Sequence, residues 1–338
     1  MRRHEPVDVL FLVLPETLLL DLAGPAEAFR LANQQLEARG LAPAFKLRFI
    51  GPQPEASSSV GLHLARLEPL PATLPRAAWV VLLGRPGLRE TLPRIQRNGW
   101  LPARHWLATV VAPALAAAGD ASTGHRLLTV CVGTLLAADA GLIGRRQVTT
   151  HHEHLASLAR LAPGAQVCAN RLFVVDGPLW SSAGITAGID LALHCIGESC
   201  GDAVAAAVAQ TMGVFQRRGV DDPQRSPVLG GREHLHPAVP RVQNAVCERP
   251  GANWDGAALA AVAHVTPRHL ARLFREHAGI SARDYVEQVR CGLAQQALER
   301  GLSAAQALEV AGFGTDRQFR RARARQRGGA AAMGPSAR

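Results

Sequence analysis

The chain has 338 residues, 48% of them apolar, enough to bury a substantial core and more natural as two domains than as one. Its formal charge of +10, from 37 basic and 27 acidic residues, suits a polyanionic partner or an anionic membrane surface. No apolar run approaches the ~20 residues that span a bilayer, and the six cysteines form no C-x-x-C pair, which excludes a membrane span, a disulfide framework and a ribbon-type zinc site.

The apolar stretch near the start is interrupted by Asp8 and followed by no small-residue cleavage site, so it reads as a buried first strand rather than a secretion signal. The cytoplasm is then the expected compartment. Short apolar runs at 7–14, 45–50, 79–83, 127–132 and 172–175 alternate with helical patterns at 25–38, 133–140 and 185–197. Runs of that kind are typical of parallel strands covered on both faces, and the alternation predicts a doubly wound, flavodoxin-like α/β domain over residues 1–217. A segment rich in Pro, Gly and charge, 218–240, reads as a linker. Residues 241–330 are helical in pattern with no strand, and 331–338 read as a disordered tail.

The helical region carries a pair of segments built on one template, "TPRHLARLFREHAG" from Thr266 and "TDRQFRRARARQRG" from Thr315. Each opens on a threonine N-cap and closes on a glycine, Gly279 or Gly328, the residue that ends a helix with least strain. Each follows a shorter helix, 257–263 or 303–311, and a tight turn, which is the pattern of a helix-turn-helix whose second helix enters the major groove of DNA. In the first unit Leu270, Leu273 and Phe274 form one apolar face, leaving Arg268, His269, Arg272 and Arg275 on the others. The second carries six arginines between Thr315 and Arg327, suited to phosphates. A helix with Tyr285, Val286, Val289, Leu293 and Leu298 on its apolar side joins the two.

These residues, above all "LARLFREHAGISARDYV" and "ALEVAGFGTDRQFRR", resemble the AraC/XylS DNA-binding domain. The resemblance implies two recognition helices in successive major grooves, about 34 Å apart. Candidate DNA contacts are Thr266, Arg268, His269 and Arg272 in the first unit and Thr315, Arg317, Gln318, Arg320 and Arg321 in the second. The second unit departs from the family pattern: Arg323 stands where a core aromatic is expected and the usual tail is missing, so the first unit is expected to be the more stable and to carry most of the base reading.

In the α/β region, "LLTVCVGTLLAADAGLIG" runs a buried strand into Cys131 and leaves through Gly133 into a helix. A cysteine on such a turn stands at the sheet edge beside helix N-terminal amides, which lower a thiol pKa. With "VTTHHEH" and "LLLDLAGPAEAF" it resembles the PfpI-like branch of the type 1 glutamine-amidotransferase-like superfamily, Cys131, His151 and Asp21 matching its cysteine, histidine and acid. Joined to an AraC-type domain, the whole resembles the GlxA group of transcriptional regulators. By that resemblance Asp21, Gly84, Cys131, Val132, His151 and His152 line an effector pocket for a small nitrogenous metabolite, with the Gly84 and Val132 amides placed as oxyanion donors.

The partners implied are promoter DNA, the effector, RNA polymerase if the protein activates, and a second copy of the chain. No cofactor and no catalytic activity are expected, Cys131, His151 and Asp21 being vestigial. The cluster His151, His152, Glu153 and His154 lacks H-E-x-x-H spacing, so no metal is expected. The alternative is a cysteine-dependent amidase or hydrolase tethered by its helical domain. A third reading makes Cys131 a redox sensor.

Overall fold

The computed structural model describes residues 5–86, 99–117, 124–214, 224, 237–299 and 302–332, the side chains of 296, 299, 324 and 326–332 excepted. The chain divides into two units, 1–224 and 225–338.

Unit 1 is built on a seven-stranded sheet. Its strands and helices in chain order are β1 (Val7–Leu12), α1 (Leu19–Glu37), β2 (Phe45–Gly51), a small β3–β4 hairpin (Glu55–Ser57, His63–Ala65), β5 (Glu68–Pro69) and β6 (Ala78–Leu82). After α2 (Leu101–Trp106), a π-turn at Leu107–Val111 and α3 (Ala112–Ala117) come β7 (Arg126–Val130) and α4 (Gly133–Asp139). The unit ends with β8 (Gln147–Val148), a 3₁₀ turn (His152–His154), α5 (Leu155–Leu161), β9 (Gln166–Val167), β10 (Phe173–Asp176), β11 (Leu179–Ser182), α6 (Ala187–Cys200) and α7 (Asp202–Thr211).

The sheet order is β10-β11-β7-β6-β1-β2-β5, parallel except for the β10–β11 edge hairpin. The chain moves outward from β1 to β2 and then returns to β1's other side with β6. Between β1 and β6, therefore, the connections diverge and leave a crevice at the carboxyl ends of the strands, where ligands bind in open α/β sheets. The central strands are buried on both faces: every residue of β6 is buried, as are the last four of β1 and of β7. That explains why they read as unbroken apolar runs.

Two departures from the sequence pattern bear on the site. Helix α1 begins at Leu19, six residues before the expected 25, because Pro25 sits inside the helix with its flank buried rather than opening it. Asp21 thereby joins the first helical turn. Strand β11, with no apolar run to betray it, is half serine and wholly buried.

Unit 2 is helical throughout its described residues: α8 (Ala238–Glu248), α9 (Gly256–Ala263), α10 (Pro267–Leu273) running into a π-turn (Phe274–Ala278), α11 (Ala282–Glu299), α12 (Ala304–Val310) and α13 (Asp316–Ala332). Most of the expected linker 218–240 lies outside the described residues, and its end is already helix from Ala238. Of the expected tail, Ala331 and Ala332 close α13, while 333–338 lie outside the described residues.

Two small cores flank α11. One gathers Val239, Val242, Val246, Leu259, Leu270, Leu273, Phe274, Tyr285, Val286 and Val289; the other holds only Cys291, Ala294, Ala311, Phe313, Phe319 and Ala322. Leu293 packs against both, whereas Leu298 is 38% exposed and belongs to neither.

Candidate functional sites

At the crevice of unit 1, three loops converge in strained conformations. Cys131 has φ 56°, Glu16 66° and Ile185 33°, in the loops after β7, β1 and β11. Left-handed backbone at non-glycine residues costs of order 1–3 kcal/mol each and collects at functional sites. The surroundings hold Cys131 there. Its N–H donates to the Ser182 carbonyl at 3.1 Å and its carbonyl accepts from Thr150 Oγ1 at 2.7 Å. Gly133 is obligatory two residues on, since a Cβ there would strike the Leu82 carbonyl.

Glycines also set the spacing of the pocket groups. A Cβ on Gly84 would lie 2.5 Å from Asp21 Oδ2 and 2.8 Å from Cys131 Cβ, so Asp21 and Cys131 approach the same backbone point. A Cβ on Gly184 would lie 2.9 Å from His151 Cδ2 and 3.3 Å from Cys131 Sγ. Asp21, Gly84, Cys131 and His151, drawn from four stretches of the sequence, thus meet around two glycines. The His152 ring lies against that of His151, centroids 4.3 Å apart and planes tilted by 31°. Buried hydroxyls of Thr129, Thr134, Thr149, Ser181 and Ser182 tie the loop before His151 to the sheet, and Gln224 donates to Thr149 Oγ1 and the Thr150 carbonyl.

The electrostatics run against an activated nucleophile. Burial pushes the Cys131 thiol up to about 12, and the Asp21 carboxylate adds to the rise, outweighing the Val132 amide beside the sulfur. This corrects the expectation that helix N-terminal amides lower that pKa: one helix terminus does not offset full desolvation and a neighbouring anion. His151 is held below its usual pKa, by burial first and by His152 next, so it is neutral at pH 7 and offers no cation to a thiolate. The Gly84 amide is not free as an oxyanion donor, because it donates to Asp21 Oδ2 at 3.0 Å.

Asp21 is fully buried, its Oδ1 has no hydrogen-bond partner, and burial raises its pKa to about 6, partly offset by the Gly84 and Ile185 amides. An acid whose folded pKa is raised contributes stability that is complete below the unfolded value of 3.8 and is lost as pH rises through 6. Unit 1 should therefore lose roughly 3 kcal/mol from this group between about pH 4 and 7, and Asp21→Asn should flatten that slope in urea melts taken across the range. An unchanged slope would mean that Asp21 ionises as freely folded as unfolded.

Arg85, one residue after Gly84, has no motif to mark it in the sequence. It is 6% exposed; Nε and Nη1 have no partner and Nη2 reaches Glu16 Oε2 at 3.4 Å. Its one signal is a charge closing an apolar strand, "VVLLGR".

In unit 2 both threonine caps form. Thr266 Oγ1 accepts from the His269 amide and Thr315 Oγ1 from the Gln318 amide, each at 3.3 Å. Helix α9 ends at His264 in left-handed conformation, φ 56°, which makes the first turn, and α12 opens with a capping box between Ser303 and Gln306. Leu270, Leu273 and Phe274 are buried, while Arg268, Arg272 and Arg275 are exposed beside Ala271 and Glu276 on an open surface of the helix and the turn that follows it. His269 is half-buried. In the second unit Thr315, Arg317, Gln318, Arg320 and Arg321 are all exposed, with Gln318 Oε1 turned back to the Gly314 amide and Arg320 bridged to Asp316.

Two expectations about this unit are corrected. Arg323 does not occupy a core position: it is exposed, and Ala322, one residue earlier, is the buried partner of Phe319. Helix α13 does not stop at Gly328 but continues to Ala332.

Residues 259–331 match the family model for a helix-turn-helix domain. The HTH-type transcriptional regulator GbdR of Pseudomonas aeruginosa is 29% identical over 92% of this chain and 79% of its own length. The HTH-type transcriptional regulator GlxA of Rhizobium meliloti is 31% identical over 58% of this chain and 60% of its own. A solved ThiJ/PfpI family protein from Pseudomonas syringae superposes with a TM-score of 0.49 at 21% identity, covering 77% of this chain and 91% of that one. Among the described residues no helix is long and apolar enough to cross a membrane. The chain thus carries a helix-turn-helix domain with two capped helices C-terminal to a flavodoxin-like α/β unit, and over 92% of its length it is similar to an HTH-type transcriptional regulator.

Proposed function

We propose that the crevice bounded by Asp21, Gly84, Arg85, Cys131, Val132, His151 and His152 binds a small nitrogenous metabolite without transforming it, and that occupancy sets how unit 2 holds promoter DNA. The observation that carries this reading is a strained, well-anchored elbow whose thiol is pushed up to about 12. Such a thiol is overwhelmingly protonated at pH 7, so the geometry of the site supports binding while its chemistry does not support attack on a carbonyl. Arg85 Nε and Nη1 and Asp21 Oδ1 are buried without hydrogen-bond partners, two donors and an acceptor that an effector entering the crevice would satisfy. The protein acts in the cytoplasm as a homodimer reading paired half-sites, and meets RNA polymerase if it activates.

The elbow itself favours the second reading, a cysteine amidase. The two separate cleanly. Melting the purified chain with a panel of amino acids, betaines and amides should give a saturable rise in Tm for at least one compound, with the compound recovered intact. Arg85→Met should abolish that rise, and Cys131→Ser should leave it. Turnover of an amide that vanishes in Cys131→Ser would establish the enzyme instead. Gel shifts on the DNA upstream of the chain's own gene, with and without the compound, test the coupling; binding no tighter than to random DNA would overturn it.

A further inference from the structure

The histidine run next to the pocket is left unused by effector binding except for its first two rings. Residues 152–154 form a 3₁₀ turn, with the His154 N–H donating to the His151 carbonyl at 2.8 Å. Three residues per turn bring side chains i and i+3 to the same side. His151 and His154 accordingly face one another, ring centroids 6.0 Å apart, and the Glu153 carboxylate lies 3.9 Å from His151 Nδ1. One ligand atom from each of His151, Glu153 and His154 falls within 4.8 Å of the others, the group of this kind found among the described residues.

We propose that His151, Glu153 and His154 hold a divalent transition-metal ion at the rim of the pocket. Two imidazole nitrogens and one carboxylate oxygen suit zinc, nickel, cobalt or copper, and are poor in oxygen for magnesium or calcium. A tetrahedral zinc at about 2.0–2.1 Å from each donor needs donors roughly 3.4 Å apart, so the cluster must contract by about 1 Å or a little more. The side chains are placed to allow it: Glu153 is 61% exposed and can swing inward, while His151, 27% exposed, is backed by the adjacent, tilted ring of His152. Three protein donors leave a coordination position open, the arrangement of zinc sites that also bind water or a small ligand. The H-E-x-x-H rule misses this set because it assumes α-helical spacing, whereas the 3₁₀ turn places i and i+3 together.

The test uses the tag-free full-length chain stripped with EDTA, titrated with zinc or cobalt against a chromophoric chelator. One equivalent should bind, and His154→Ala and Glu153→Gln should each weaken it by about tenfold or more, as removal of a ligand does at least as strongly as loss of an outer partner. His152→Ala should change affinity by less than about threefold. Melting curves without metal show whether each variant folds. Cobalt bound at this site should give the d–d bands of a nitrogen–oxygen set with no sulfur charge-transfer band. Absence of a stoichiometric equivalent, binding unaltered in both ligand variants, or a thiolate band placing the ion on cysteine would each overturn the proposal. None of these outcomes depends on the effector.

Discussion

Phe274→Ala should destabilise unit 2 by about 3–5 kcal/mol and abolish specific DNA binding at 37 °C. Phe274 is wholly buried and heads the π-turn that closes the first recognition helix, its ring 6.1 Å from that of the equally buried Tyr285 of α11. Truncation removes the transfer energy of the ring and leaves a cavity between α10 and α11, in a core small enough that little can collapse into it. The equivalent change in the second unit, Phe319→Ala, should cost less, about 2 kcal/mol, because Phe319 retains 8% exposure and its cluster of six buried residues includes three alanines. Urea melts followed by circular dichroism, beside fluorescence anisotropy on promoter DNA, give both quantities. Equal losses from the two variants would refute the asymmetry of the two units.

The expected asymmetry has a different physical basis from the one the sequence pattern suggests. The sequence pattern traces it to Arg323 standing in for a core aromatic, and the structure moves Arg323 to solvent. The smaller second core results instead from alanines at 294, 311 and 322 around a single aromatic pair, Phe313 and Phe319, ring centroids 5.4 Å apart. An arginine four residues after Phe319 costs nothing when helix α13 is rotated so that position 322 faces inward. Sequence spacing gives the candidate faces of a helix; which face is buried is decided by what packs against it.

The legibility of the rest follows the same physics. Unbroken apolar strands such as β6 and threonine-capped helices such as α10 announce themselves locally, so the doubly wound sheet and both helix-turn-helix units are readable from residues alone. Strand β11 is not, because its buried serines are satisfied by partners distant in sequence, Ser181 by the Thr149 amide and Ser182 by the Thr129 carbonyl. Cys131, Asp21, Gly84 and His151 are identified by resemblance, and the structure brings them together. What residue identity does not convey is the sign of their electrostatics: the Cys131 pKa depends on burial and on Asp21, 110 positions away in the chain. Arg85 is invisible for the same reason, since only the fold shows that its guanidinium is enclosed.

The two recognition helices should separate functionally when their arginines are removed. In the first, Arg268→Ala and Arg272→Ala should each cost about 1–3 kcal/mol on the cognate site and much less on random DNA, relaxing base preference in one half of the site. Both side chains are exposed on α10, and Arg272 pairs with Glu276 at 2.9 Å. In the second, Arg321→Ala and Arg323→Ala should weaken binding to every sequence alike and each lower the slope of log affinity against log salt by about 0.9, as expected of a phosphate contact. The paired measurement is anisotropy on cognate and scrambled duplexes at several salt concentrations. If the α13 variants relaxed base preference while the α10 variants changed only the salt slope, the assignment of reading to the first helix and of charge to the second would be reversed.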